Sequence, residues 1–318
     1  MNTIASAILA LVVGLVGCKD DKTPEAGAPA TPPGPMPPVA TVANEQWHRY
    51  WSQGKAELSR YQLTQARYGE LHRGDALLVF VTEDFLTEPQ VKLESDPAGR
   101  PVASVLKLNF TKKFLTGIYP YSLMASVFTP VEVFAQPRTL KVSTTVQEWC
   151  GHVFMQLNLK GKSYNVEERS YFEREGDKNF ALDTAMLEDE IWTRIRIAPQ
   201  TLPVGTVKMI PGTLASRLRH KPLGVVDAKA ELSETTDSSG AKLRRYTITY
   251  GAAERVLAID FKSEFPHQIV GWTESYDDFG KPLTTTARLT HTLMTDYWRR
   301  HSNADSALRK ELGLGMGE

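Results

Sequence analysis

Net charge is the first thing this chain lacks. Its 318 residues set 37 Lys plus Arg against 37 Asp plus Glu, and without a long-range positive field no nucleic-acid partner is expected. Cysteine is scarce as well, at two residues, Cys18 and Cys150. Long apolar runs are missing: the run from Ile4 to Val16 falls short of the roughly 20 residues a spanning helix needs. Familiar catalytic strings are absent, with no G-x-S-x-G, no G-x-x-x-x-G-K-[ST] and no H-E-x-x-H. The seven histidines show no ligand spacing such as H-x₃-H, so no metal is expected. Gly313, Gly315 and Gly317 lead into no helix and cradle no phosphate, and no cofactor is expected either. Apolar residues at 42 % and charged residues at 23 % match ordinary globular chains, which argues against wholesale disorder.

What is present is sharpest at the start. MNTIASAILALVVGLVGC suits the apolar part of a signal peptide. Leu15-Val16-Gly17-Cys18 resembles the bacterial lipobox, although no Lys or Arg precedes Ile4. The resemblance implies removal of residues 1–17 and lipidation of Cys18, with several acyl chains holding where one binds only marginally. Lys19, standing where an aspartate favours the inner membrane, leans toward the outer membrane. An ordinary secretory signal is the alternative. Residues 18–43 follow as a tether with seven prolines between Pro24 and Pro38. Such a segment buries too little apolar surface to fold and, in polyproline II, reaches on the order of 70–80 Å.

From Asn44 the composition turns aromatic, with Trp47, Tyr50 and Trp51 spaced for one face of a short helix. Period-two alternation then predicts strands over Tyr61–Tyr68 and Ala76–Glu83, joined by a turn within Gly69–Asp75. More are predicted over Tyr121–Phe128, Leu140–Trp149, His152–Leu159 and Ser163–Phe172. Further on, Tyr246, Ile248 and Tyr250 share one side of a strand and Leu257, Ile259 and Phe261 one face of the next. QIVGWTESY and LTTTARLTHTLM extend the meander. Asp183 is the predicted N-cap for TAMLEDEIW, and Ser302 with Asp305 caps ALRKEL up to Gly313. These features predict a mainly β fold, one large curved antiparallel sheet, barrel-like or a sandwich, with a few peripheral helices. A single domain over 44–318 is expected, with a break near 199–211 as the alternative.

The stretch VQEWCGHVFMQL, 146–157, is where a nucleophile could stand beside a base. Read as one strand, it puts Glu148, Cys150 and His152 on one face, with Cα atoms of Cys150 and His152 about 6.7 Å apart. Glu148 lies about 13 Å from His152 along the strand and orients it only if Gly151 forms a bulge. With Cys18 lipidated, Cys150 has no disulfide partner, and burial accounts for a lone thiol. A structural strand therefore outweighs a catalytic or metal site built on Cys150, His152 and Glu148. Glu83-Asp84 and Glu188-Asp189-Glu190 read as solvated or capping charges. RLRH at 217–220 with Lys221 reads as a solvated basic face, against contact with an anionic lipid headgroup or phosphate.

RYGELHRGDALLVFVTEDF, LKLNFTKKFLTGIYPYS and QEWCGHVFMQLN resemble a family of uncharacterised bacterial envelope lipoproteins, over roughly residues 45–300. Members of that family are sometimes labelled "septum formation inhibitor Maf". The label belongs to small cytoplasmic nucleotide pyrophosphatases, whose S-x-S-P-R-R-type loop this chain does not have. The resemblance implies an envelope location, lipid-anchored and facing the periplasm from the outer membrane, and supplies no catalytic residues. The expected role is a non-catalytic binding or scaffold module for a lipid, an apolar ligand or another envelope protein. The alternative is an envelope enzyme using Cys150 with His152 as base, in acyl transfer or thiol chemistry.

Overall fold

Alternation of buried and solvent-facing residues runs through most of the chain and builds its architecture. The computed structural model describes residues 41–315 apart from Ser238 and Ala253. Cys18, the signal segment and the proline-rich stretch to residue 40 lie outside the described residues.

The strands in chain order are β1 (Ala56–Arg67), β2 (Glu70–Leu86), β3 (Val91–Lys92), β4 (Val102–Thr116), β5 (Tyr119–Pro130), β6 (Lys141–Glu148), β7 (Gly151–Lys160) and β8 (Ser163–Arg169). After them come β9 (Lys178–Asp183), β10 (Met186–Leu187), β11 (Gly205–Ile210), β12 (Val226–Thr236), β13 (Lys242–Tyr250), β14 (Arg255–Lys262), β15 (Ile269–Asp278) and β16 (Lys281–Thr295). All sixteen form one sheet, ordered β10-β11-β12-β13-β14-β15-β16-β1-β2-β4-β5-β6-β7-β8-β9, with β3 on β2. Among the described ladders only β10–β11 is parallel. The edge strands β9 and β10 are consecutive in the chain, yet no ladder joins them. The sheet is thus curved and open, and the mainly β class is as the alternation predicts. Within and after residues 199–211, β11 and β12 continue the same sheet.

The helices are α1 (Glu45–Trp51), α2 (Glu188–Ile197), α3 (Thr213–Leu218) and α4 (Ala307–Glu311). Asn44 caps α1, its side chain accepting the Trp47 N–H at 3.0 Å. The Ser302–Asp305 pair forms, with the hydroxyl 2.6 Å from the carboxylate, but it caps a 3-10 turn over Asn303–Ser306 that precedes α4 and not α4 itself. The predicted cap at Asp183 does not form. Asp183 ends β9, two residues of β10 intervene, and α2 starts at Glu188, with the Glu190 carboxylate accepting the Leu187 N–H at 3.2 Å.

Every residue of α2 is buried, charged ones included. Its apolar side chains join the core: the Trp192 ring lies 5.0 Å from Phe110 on β4 and 5.2 Å from Trp272 on β15. Burying each such ring contributes roughly 1.5–3 kcal/mol. Its charged side chains find partners on the sheet. Glu188 makes a two-pronged pair with Arg255 of β14, both bonds 2.6 Å, and accepts the Tyr250 hydroxyl at 2.6 Å. Arg255 also reaches Glu274 at 2.6 Å, and Glu274 lies 3.7 Å from Lys112. Arg196 forks onto Glu57 of β1 at 2.7 and 2.6 Å. Contacts to β1, β4, β13, β14 and β15 from one ten-residue helix require the sheet to curl around it.

This overturns the solvated reading of Glu188-Asp189-Glu190. All are buried, and each is matched to a cation or to backbone N–H groups, as a buried charge must be.

Candidate ligand pocket at the hairpin-tip end

The β1–β2, β4–β5, β6–β7 and β15–β16 turns and the β8–β9 loop all fall at the same end of the sheet, because antiparallel neighbours reverse together. Two of these turns are two-residue reversals with both residues left-handed: Tyr68-Gly69 at φ 57° and 74°, and Phe279-Gly280 at φ 55° and 75°. Such turns favour Asn or Gly first, since a bulky side chain there is strained. Here the first position is aromatic in both, and the two rings meet edge-on at 5.6 Å. His220, also left-handed at φ 51°, stands nearby. Strain of this kind collects at functional sites.

Between these tips opens a pocket of about 500 Å³. Tyr68, Tyr121, Val146, Val153, Leu218 and Phe279 give it apolar walls, and Arg67, Arg219, His220 and Lys221 line its α3 side. That size is in the range that holds a drug-sized ligand. The tips around it are unusually apolar for turns, with Ile118, Phe279, Tyr171 and Trp149 each two-thirds or more exposed.

The basic run 217–221 is solvated only at its end, where His220 and Lys221 are exposed. Arg217 and Leu218 are buried, and Arg217 pairs with Glu168 and Glu175. His220 Nδ1 lies 2.7 Å from Glu175, and Arg219 lies 3.3 Å from Glu254. The run forms the pocket wall. Glu83, which precedes Asp84 on β2, is a partly buried partner of Lys107 at 2.6 Å.

The Cys-Gly-His stretch folds differently from a single strand. Glu148 pairs with Gly151 and Gln147 with His152 in regular register, so Trp149-Cys150 is a hairpin tip and Gly151 makes no bulge. Cys150 is exposed rather than buried, at the rim of the pocket. The Glu148 carboxylate accepts the Cys150 N–H at 2.7 Å. Hydrogen bonding to that carboxylate, and its charge, push the Cys150 thiol above its usual range, the reverse of nucleophile activation. His152 is exposed on the face opposite Val153, and Val153 is the residue that lines the pocket. Gly151 is needed because Tyr171 covers it: a Cβ there would stand 2.8 Å from the Tyr171 ring.

Among the described residues no group of three or more His, Cys, Asp or Glu could hold a metal ion, and no helix is long and apolar enough to cross a membrane. Compared with protein-family models, curated proteins and solved structures, the chain matches none. The fold and site define an open, curved β sheet plugged by a buried ionic helix, with a ligand-sized pocket at its hairpin-tip end.

Sequence reasoning missed Arg67, Tyr68 and Tyr121. A signal for Arg67 existed: Leu63, Gln65 and Arg67 share the core-facing phase of β1, and a charged residue in that phase marks something special.

Proposed function

We propose that this protein is a lipid-anchored module of the bacterial cell envelope that holds a small amphiphilic ligand at the hairpin-tip end of its sheet and does not turn it over. Cys18 is the anchor and the stretch after it the tether, facing the periplasm from the outer membrane; the expected end at residue 43 is too late, since Thr41, Val42 and Ala43 bond the Glu132 carboxylate and Val42 is buried in the body. The observation that carries the ligand reading is the pocket of about 500 Å³ opening among exposed apolar tips. Apolar walls with a few convergent polar groups suit a molecule with a chain and a head. The rest of the trough supports the same assignment, since α2 fills it and leaves about 20 Å³ beside the Glu188–Arg255–Glu274 network. An enzyme built on Cys150 gains nothing from a thiol held up by Glu148 and a histidine on the other face.

Native mass spectrometry of the protein released gently from membranes tests the ligand. The expected result is a bound mass that leaves when Leu218→Trp fills the pocket. A ligand-free protein, with Leu218→Trp indistinguishable from wild type, would leave only a scaffold role. Labelling with a palmitate analogue tests the anchor: wild type takes the label and Cys18→Ala does not.

A further inference from the structure

The described residues include six buried cationic side chains: Arg67, Lys112, Arg194, Arg196, Arg217 and Arg255. Five have a carboxylate within 4 Å, namely Lys112 and Arg255 with Glu274, Arg194 with Glu190, Arg196 with Glu57, and Arg217 with Glu168 and Glu175. Arg67, only 7 % exposed, has none. A buried charge without a counter-ion is strongly unfavourable, so its retention on the wall of a pocket requires a reason.

The surroundings of Arg67 are donors and neutral groups. One terminal nitrogen donates to the Leu218 carbonyl. The other is shared at 3.4 Å among the Tyr68 hydroxyl, the Tyr121 hydroxyl and His220 Nε2, all at the long limit of a hydrogen bond. Nε has no partner. The guanidinium lies 4.3 Å from the Tyr68 ring centre. Tyr119, Tyr68 and Tyr121 form a chain of hydroxyls, 3.2 and 2.6 Å apart. Burial pushes the Tyr68 and Tyr121 phenols up, so both stay protonated; one hydrogen bridges their 2.6 Å contact and the other is left to donate.

The pocket's own carboxylates are already engaged elsewhere. Glu148 holds the Cys150 N–H, Glu254 pairs with Arg219 and Lys221, Asp277 holds the Gly280 N–H, and Asp278 holds the Gly69 N–H.

We infer that Arg67, with the Tyr68 and Tyr121 hydroxyls, receives an oxyanion, so that the ligand of this pocket is an acidic amphiphile with a carboxylate or phosphate head. The inference rests on the pocket reading above. A guanidinium fork matches both heads, and it supplies the missing counter-ion in either case.

The test is equilibrium dialysis of the whole chain in nanodiscs of zwitterionic lipid, with protein-free nanodiscs as blank, against octanoate, octyl phosphate, 1-octanol and octylamine. At least one acid should bind about tenfold to a hundredfold more tightly than 1-octanol, the range set by charge-assisted hydrogen bonds. Octylamine should bind most weakly. Tighter binding of octanoate identifies a fatty-acid-like ligand, and tighter binding of octyl phosphate a phosphate monoester. Arg67→Gln should abolish the acid preference and leave 1-octanol binding within about twofold, while Arg67→Lys keeps part of the preference. Because the head-group series on wild type stands by itself, a variant that fails to fold does not blunt the test. If 1-octanol binds as tightly as both acids, or Arg67→Gln keeps the preference, the oxyanion assignment is wrong while the pocket reading survives. If none of the four exceeds the blank, the pocket reading falls and takes this inference with it.

Discussion

Glu57→Gln is the perturbation whose outcome the structure constrains most closely. Glu57 and Arg196 are both fully buried, and the two carboxylate oxygens meet the two terminal nitrogens at 2.7 and 2.6 Å. The rest of each group is also satisfied: Tyr50 and Ser59 donate to Glu57, and Arg196 Nε donates to the Pro266 carbonyl at 2.8 Å. The guanidinium lies between the Trp51 and Phe80 rings, at 5.0 and 4.7 Å. Replacing the carboxylate by an amide turns one prong into two opposed donors and leaves a buried cation without an anion. That change should cost about 3–5 kcal/mol, a large share of the roughly 5–15 kcal/mol that holds a domain together. Urea denaturation of both proteins at pH 7 measures it. The double variant Glu57→Leu with Arg196→Met removes both charges, and Ser59 keeps a partner in the Thr292 hydroxyl at 3.3 Å. It should lie within about 1–2 kcal/mol of wild type. The pH dependence carries a second check. Burial alone would raise the Glu57 pKa, but the Arg196 charge and the hydrogen bonds from Arg196, Tyr50 and Ser59 bring it below its ordinary 4.5. A depressed carboxylate stabilises the fold above 4.5 and loses that contribution as pH falls, so the gap between wild type and Glu57→Gln should narrow in acid. A single variant within about 1 kcal/mol of wild type, or a double variant costing the sum of the two singles, would refute the reasoning.

Asp189→Asn should stabilise the protein at pH 8 by up to about 4 kcal/mol. Burial, with Glu188 adding and the Thr213 bonds opposing, pushes Asp189 up to about 7 from 3.8. Wild-type stability should therefore fall as pH rises from about 4 to about 7 and level off above it, and thermal melts at pH 5 and 8 that show the same change in both proteins would contradict this. Cys150 should be alkylated by iodoacetamide in the folded protein, at pH 7 more slowly than a free thiol and faster after Glu148→Gln; a wild-type rate at pH 7 above that of a free thiol, whose pKa is about 8.5, would restore the nucleophile reading. Gly212→Ala should cost about 1–3 kcal/mol by overpacking, because its Cβ would stand 2.4 Å from Glu188 Oε1, whereas Gly224→Ala meets open space and should leave the melting temperature unchanged.

The sheet was legible where one face is plainly apolar. Tyr246, Ile248 and Tyr250, then Leu257, Ile259 and Phe261, alternate without interruption, and all are buried as predicted. Legibility failed where the core-facing phase carries charge. In β4 the run Leu106, Leu108, Phe110, Lys112, Phe114 keeps its period, yet the lysine makes the segment read as a mixed surface. In β15, Glu274 stands between Trp272 and Tyr276 in the same way. Each of these charges answers another that is remote in sequence, so neither could be recognised as internal without its partner. The same holds for α2, whose charges are solvent-like by composition and internal only because Glu57, Arg255 and Thr139 come to meet them. At the site, the alternation rule itself misled: Glu148, Cys150 and His152 share a strand face only if the chain runs straight. The reversal at Trp149-Cys150 is announced only by Gly151 beside it and by the predicted strand ends at Trp149 and His152.

The ionic interior and the pocket are mechanically one assembly. Glu188, held by Arg255, precedes Asp189, which accepts both the backbone N–H and the hydroxyl of Thr213 at the start of α3. Thr213 in turn bonds Thr144 of β6 at 2.6 Å. Five residues later α3 ends at Leu218, whose carbonyl receives Arg67, and next to Arg217, which is clamped by Glu168 and Glu175. The backbone carbonyl that orients the unpaired guanidinium is therefore fixed by a helix of a turn and a half, and that helix is fixed by carboxylates of α2. Ion pairs set well inside a fold add little net stability compared with apolar packing, but they specify geometry, because each admits few arrangements. In this chain that geometry reaches the only buried cation among the described residues without a carboxylate of its own.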